Sequence, residues 1–109
     1  MNYDRIKKFE EITKSMLDLY KRKNTDYGNS VAITFDKYGL ISFLVRMEDK
    51  LNRVSNLAQK STEEQRVQDE KIEDTLLDLA NYSIMALIEL DRKKNELTSN
   101  KISVECEKL

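Results

Sequence analysis

Proline is absent from all 109 residues and glycine occurs only twice, at Gly28 and Gly39. A chain with so few turn formers cannot supply the tight connections of a strand-rich fold, so it is confined to long helices. The expected architecture is an all-α bundle of three long helices plus short ones. The length suits one domain. A domain of this size buries only about 65% of its unfolded surface, so assembly with further copies would help it. Residues 1–94 read as the folded domain and 95–109 as a polar tail, with no repeat and no Gly-, Ser- or Pro-rich linker.

Hydrophobic periodicity places the helices. In residues 3–21, Ile6, Phe9, Ile12, Met16, Leu19 and Tyr20 recur at helical spacing, which predicts an amphipathic helix with one core face. The period breaks over residues 23–30, where Asn24, Gly28 and Asn29 carry turn chemistry. Residues 31–38 fit a short helical turn packing Ile33 and Phe35. A second helix runs from about Gly39 or Leu40 to Gln59, with Leu40, Leu44, Met47, Leu51, Val54 and Ala58 as its apolar stripe. Ile41, Val45, Glu48, Asn52 and Ser55 form a neighbouring stripe, polar in its second half. Residues 61–69 form a polar connector, in which Ser61-Thr62-Glu63-Glu64 can cap a turn. The third helix, residues 69–94, is apolar nearly all round between 76 and 90. A helix apolar on every side is buried on every side, which predicts a central bundle helix that also faces another subunit. The tail from Asn95 reads as a frayed extension or an arm on a partner subunit.

Charge removes several functions. With 19 basic and 20 acidic side chains the net charge is −1, which argues against direct binding of nucleic acid through its phosphates. No apolar run reaches the ~20 residues that span a bilayer, no polybasic stretch offers a membrane handle, and Met1-Asn2-Tyr3-Asp4 is no signal stretch. The single cysteine, Cys106, cannot form an internal disulfide, so a cytoplasmic setting is expected. Without histidine there is no His-based triad, His–zinc site or imidazole acid–base chemistry. Any chemistry falls to carboxylates.

Asp78 breaks the apolar pattern of the third helix. An unpaired carboxylate there costs several kcal/mol, on the order of one desolvated ion, so a cation must lie nearby: an Arg such as Arg46, a Lys, or a metal such as Mg²⁺. Asp74, Asp78 and Asn81 form one polar line along that helix, and Glu70 and Glu73 extend its acidity toward the N-terminus. Glu48 and Asn52, with Asp49 beside them, make a matching line on the second helix. Two antiparallel helices with facing carboxylate lines suit a hard divalent cation such as Mg²⁺, which accepts a few carboxylates, waters and substrate phosphates. Arg46, Lys50 and Arg53 can neutralise those carboxylates or hold phosphate oxygens. The plainer reading is a solvated face of i,i+3 and i,i+4 pairs, and an Asp78–Arg46 pair without metal also satisfies the physics. In Lys23-Asn24-Thr25-Asp26-Tyr27-Gly28, the plain reading is a helix C-cap and turn. The functional reading is a nucleotide pocket: Tyr27 as a stacking ring, Asn24 and Asp26 as polar partners, Lys23 as a phosphate contact.

These segments carry a resemblance. Lys23-Asn24-x-Asp26-Tyr27-Gly28-x-Ser30, Arg46-Met47-Glu48-Asp49-Lys50-Leu51-Asn52-Arg53, Asp69-Glu70 and Glu73-Asp74-Thr75-Leu76-Leu77-Asp78-Leu79-Ala80-Asn81-Tyr82 resemble the nucleotide modification associated domain 1 family of bacteria and their phages. The likeness covers roughly residues 12–90. That family is similar to the all-α NTP pyrophosphohydrolases, which include MazG and the dimeric dUTPases. There a Glu-Glu-x-x-Glu helix and a Glu-x-x-Asp helix bind Mg²⁺ and a nucleoside triphosphate, which water cleaves between its α- and β-phosphates. The resemblance implies a MazG-like bundle, assembled as a dimer or tetramer. Glu48 and Asp49 match the first two acids of the first motif, with Asn52 in place of the third. Asp78 matches the Asp of the second, with Thr75 at the Glu position and Asp74 one residue away. Asn81 falls where relatives place a nucleotide-contacting Asn.

Three functions follow as expectations. The first is a Mg²⁺-dependent nucleotide pyrophosphohydrolase in which Glu48, Asp49, Asp74 and Asp78 hold the metal and Glu48 or Glu70 acts as base. The second is a module that uses the same pocket to sequester or sense a nucleotide without turnover, which the replaced acids favour. The third is a purely structural bundle in which Asp78 pairs with Arg46.

Overall fold

The computed structural model describes residues 2–27, 30–59 and 65–107, except for the side chains of 25–27, 65, 66 and 99–107. The chain forms α1 (Arg5–Tyr27), α2 (Ser30–Tyr38), α3 (Ile41–Gln59) and α4 (Gln65–Glu107), with no strand among the described residues. The all-α expectation holds. The turn assigned to Gly28 and Asn29 and the cap assigned to 61–64 lie outside the described residues.

Local chemistry sets the helix ends. Asp4 caps α1, its Oδ1 accepting the Lys7 amide at 3.0 Å. The helix then continues through residues 23–27, where the loss of apolar period suggested a break. Period loss removes packing, but with neither Gly nor Pro before Gly28 the local cost is only a few tenths of a kcal/mol per residue. Gly39 ends α2 at φ 73°, and its amide donates to the Phe35 carbonyl at 2.7 Å, the αL cap that a side-chain-bearing residue adopts poorly. Nothing from Gln65 onward supplies a stop signal, so α4 runs 43 residues and takes the polar segment from Asn95 into the helix.

An antiparallel hairpin of α3 and α4 is the frame. At one end Gln68 on α4, itself buried, donates from Nε2 to the Leu57 carbonyl on α3. In the middle Lys50 meets Asp78. At the other end Phe43, 2% exposed, clusters with Ala86 and with Phe35 of α2. The two phenyl rings stand 5.9 Å apart at 51°, a tilted pairing that aromatic quadrupoles favour.

This packing corrects the expected register of α3. Phe43, Met47, Lys50, Val54 and Leu57 are its covered positions, whereas Leu40, Leu44, Leu51 and Ala58 are exposed. The bulk of Phe43 and its ring contact with Phe35 rotate the helix by one position. Ile33, expected in the core beside Phe35, is exposed too. Likewise α4 is covered on one side only, leaving Leu76, Ile84 and Leu87 exposed.

At the far end an ionic cluster ties α2 to α4. Arg92 donates to Asp36 at 2.6 Å and to Glu89 and Glu96 at 2.7 Å, and Lys93 reaches Asp36 at 2.9 Å. The hydrogen bonds from Arg92 and then Lys93 hold the Asp36 carboxyl below its usual value. A lowered folded-state pKa gives stability above the unfolded carboxylate value that is lost as pH falls through the lowered one. Asp36→Asn is therefore expected to unfold more easily than the parent at pH 7, the two converging in denaturant titrations once pH has fallen through the lowered Asp36 value. Phe43→Ala should cost about 3 kcal/mol, typical of an emptied phenyl site; a loss under about 1 kcal/mol would show that Phe43 is not the core's anchor.

Candidate functional site

Asp78 lies where α1, α3 and α4 meet. Its carboxylate accepts from Lys50 of α3 at 3.1 Å and pairs with Lys23 of α1 at 3.6 Å. All three side chains are partly covered, Asp78 retaining 30% exposure. The expected counter-ion Arg46 is thus replaced by two lysines. The reason is the register of α3: Lys50 stands on the covered stripe with Phe43 and Met47, while Arg46 sits at its edge.

Three adjoining cavities form one cleft around this pair. The narrow middle, about 30 Å³, lies between Lys23, Asp78, Asn81, Tyr82, Tyr20 and Met85 and has room for about one water. At Tyr82, which lines both, it borders a lobe of about 290 Å³ lined also by Arg46, Asp49, Lys50 and Arg53. These four project from one side of α3, so the lobe carries three cations against one carboxylate. Beyond Tyr20 and Met85 lies a second lobe of about 210 Å³, lined by Asn24, Val31, Ile88 and Arg92 among others. One end is cationic and the other mixed, with tyrosines between them.

These cavities are lined by Lys23, Asn24, Arg46, Lys50, Arg53 and Asn81 of the expected nucleotide contacts, and by Asp49 and Asp78 of the expected metal ligands, the two carboxylates in different cavities. Glu48, Glu70 and Asp74 are exposed and line none of these cavities. Among the described residues no three acidic, histidine or cysteine side chains converge as a metal cage. The side chains of Asp26 and Tyr27 lie outside the described residues. Tyr20, Tyr82, Met85 and Arg92 were not singled out as site residues. The available signal was their spacing: Tyr82 is one turn beyond Asp78, and Tyr20 is one turn before Lys23 and Asn24.

Chemically, the cationic lobe suits a phosphate chain, since arginines bind phosphate oxygens through paired donors. The middle is too narrow for a planar ring, whereas the second lobe, with Tyr20 in its wall and about 210 Å³ of space, has room for one. Asp78→Asn removes the anion between two half-covered lysines. It is expected to lower stability by about 1–2 kcal/mol, less than for a fully buried pair because solvent screens this one. An equally or more stable variant in denaturant unfolding would contradict the bridging role.

Two independent comparisons, with curated proteins and with solved structures, give no match. Residues 23–90 match the family described as Nucleotide modification associated domain 1. That span contains α2, α3, the Lys23 and Asn24 end of α1, and Asp78 and Asn81. With more than half of its length matched, the chain belongs to the Nucleotide modification associated domain 1 family.

Proposed function

We propose that the cleft binds a nucleotide, with the phosphates against Arg46, Lys50 and Arg53 and the ring-bearing part toward Tyr82, Tyr20 and Asn24. The observation that carries this reading is the concentration of three cations in one lobe of a chain whose net charge is −1. Such a local excess on a nearly neutral protein favours a small anion over a nucleic-acid surface. The family description supports the nucleotide as that anion.

Mg²⁺ would enter this proposal in one mode, together with the nucleotide's phosphates. It commonly takes one or two protein carboxylates and completes its shell with waters and substrate phosphates. Asp78 and Asp49, with Asp74 nearby in sequence, would hold such an ion, which would supply charge neutralisation at the phosphates and an acidified water. The chain's own part is to orient the phosphates with Arg46 and Arg53, and to position Asp78 through Lys23 and Lys50.

Likeness to the MazG and dimeric dUTPase group extends the proposal to cleavage between α- and β-phosphates, with Glu48 or Glu70 as base. The second reading, a phage or host-defence module that binds without turnover in the cytoplasm, is favoured by a specific observation. Asp78 is already neutralised by two lysines, and both candidate bases lie outside the described cavities.

Calorimetric titration with nucleoside triphosphates in the presence of Mg²⁺ tests the proposal. Arg46→Ala combined with Arg53→Ala should weaken affinity at least tenfold and leave the unfolding midpoint nearly unchanged, since both side chains are exposed. Unaltered affinity would remove the phosphate assignment. Release of nucleoside monophosphate would support the hydrolase, and saturable binding without release would support the module.

A further inference from the structure

The second lobe carries an ion pair of α4 in its wall. Glu89 and Arg92 both line it, and Arg92 Nε donates to Glu89 Oε2 at 2.7 Å. Arg92 is engaged outside the lobe as well, Nη1 donating to Glu96 at 2.7 Å and Nη2 to Asp36 at 2.6 Å. A guanidinium whose three nitrogens each face a carboxylate is a poor receptor for a further anion. Arg92 therefore holds Glu89 in place rather than binding phosphate. Glu89 is the covered acid of this cluster, its side chain 13% exposed against 42% for Asp36 and 52% for Glu96. Among the described residues Arg92 is its one partner, at Oε2, so Oε1 remains as an acceptor in the wall of the lobe.

The rest of the lobe suits a flat, mostly apolar ring. Tyr20, Val31 and Met85 supply aromatic and aliphatic walls, and about 210 Å³ accommodates one base. Asn24 adds a side-chain amide, which both donates and accepts. A ring held there meets a carboxylate that only accepts. Such a group takes a hydrogen bond from an exocyclic amino group and repels a keto oxygen in the same place. The Asn24 amide can then donate to the acceptor nitrogen beside that amino group. Charge also sets the orientation of the whole ligand: phosphates are drawn to Arg46, Lys50 and Arg53 and turned away from Glu89.

We propose that Glu89 determines base specificity, selecting a ring with an exocyclic amino group beside an acceptor nitrogen, the edge of cytosine or adenine, against the keto edge of uracil or hypoxanthine. This rests on the nucleotide reading above, with the ring in the second lobe; Arg92 acts through Glu89 as a positioning residue. Calorimetric titration of the full chain with two matched pairs tests it: cytidine against uridine triphosphate, and adenosine against inosine triphosphate, in the presence of Mg²⁺. The amino member should bind at least about tenfold tighter, the scale of one hydrogen bond to a charged group. A preference confined to one pair supports the proposal and sets the ring size. Equal affinity within both pairs, or preference for the keto members, would overturn it and leave the nucleotide reading standing. Absence of binding by all four would overturn both. Glu89→Gln, whose amide donates to a keto oxygen, should bring the ratio within a pair to about threefold or less. Glu96→Gln removes an Arg92 partner that lines none of the cavities and should keep the parental ratio. An unchanged ratio in Glu89→Gln would overturn the assignment to Glu89. Should that variant not fold, the ratios of the parent decide.

Discussion

The Asp78 carboxylate, held between Lys50 and Lys23, is the interaction on which the arrangement of helices turns. It joins three helices at one point, and its neighbours in sequence, Leu77 and Leu79, are apolar. An unpaired carboxylate in this partly covered position is unfavourable, and the two lysines offset it. For Lys50 this fixes which side of α3 faces α4. For Lys23 it fastens the last turns of α1 to the hairpin, where Tyr20 and Met85 complete the contact.

The same interaction shapes the cleft. Lys50 serves both as a partner of Asp78 and as a wall of the cationic lobe, so an incoming anion competes with Asp78 for its ammonium. Electrostatics in the cleft is therefore conditional: any group that takes Asp78, a divalent cation included, frees two lysines for phosphate. A stable bundle has no need of this local conflict between an apolar helix and a charged residue, and such conflicts concentrate at functional sites. Membership of the Nucleotide modification associated domain 1 family is consistent with a site built on that conflict.

Much of this was legible before the fold was known. The lack of proline and scarcity of glycine dictated helices, and a carboxylate between Leu77 and Leu79 marked the point where three helices are joined by an ion pair. Other features depend on choices among nearly equivalent patterns. On α3, Met47 and Val54 belong both to the expected stripe with Leu40, Leu44 and Leu51 and to the covered one with Phe43, Lys50 and Leu57, and the Phe43–Phe35 ring contact and the Lys50–Asp78 pair go with the second. That choice rotates Glu48 out of the cleft and brings Lys50, rather than Arg46, to Asp78. The helical state of residues 23–27 was hidden for a different reason: loss of the apolar period does not stop a helix when neither Gly nor Pro precedes Gly28. Tyr20 read as a core residue because its ring is apolar, although its place one turn from Lys23 also sets it at the cleft.

The most direct measurement is the affinity of the unmodified protein for a series sharing one base: nucleoside, monophosphate, diphosphate and triphosphate, titrated at fixed low salt. If the cationic lobe holds the phosphate chain, affinity should rise with each added phosphate, by roughly tenfold per well-placed charge-assisted contact. Added salt should then flatten the trend. Equal affinity across the series, or no binding by any member, would contradict the account.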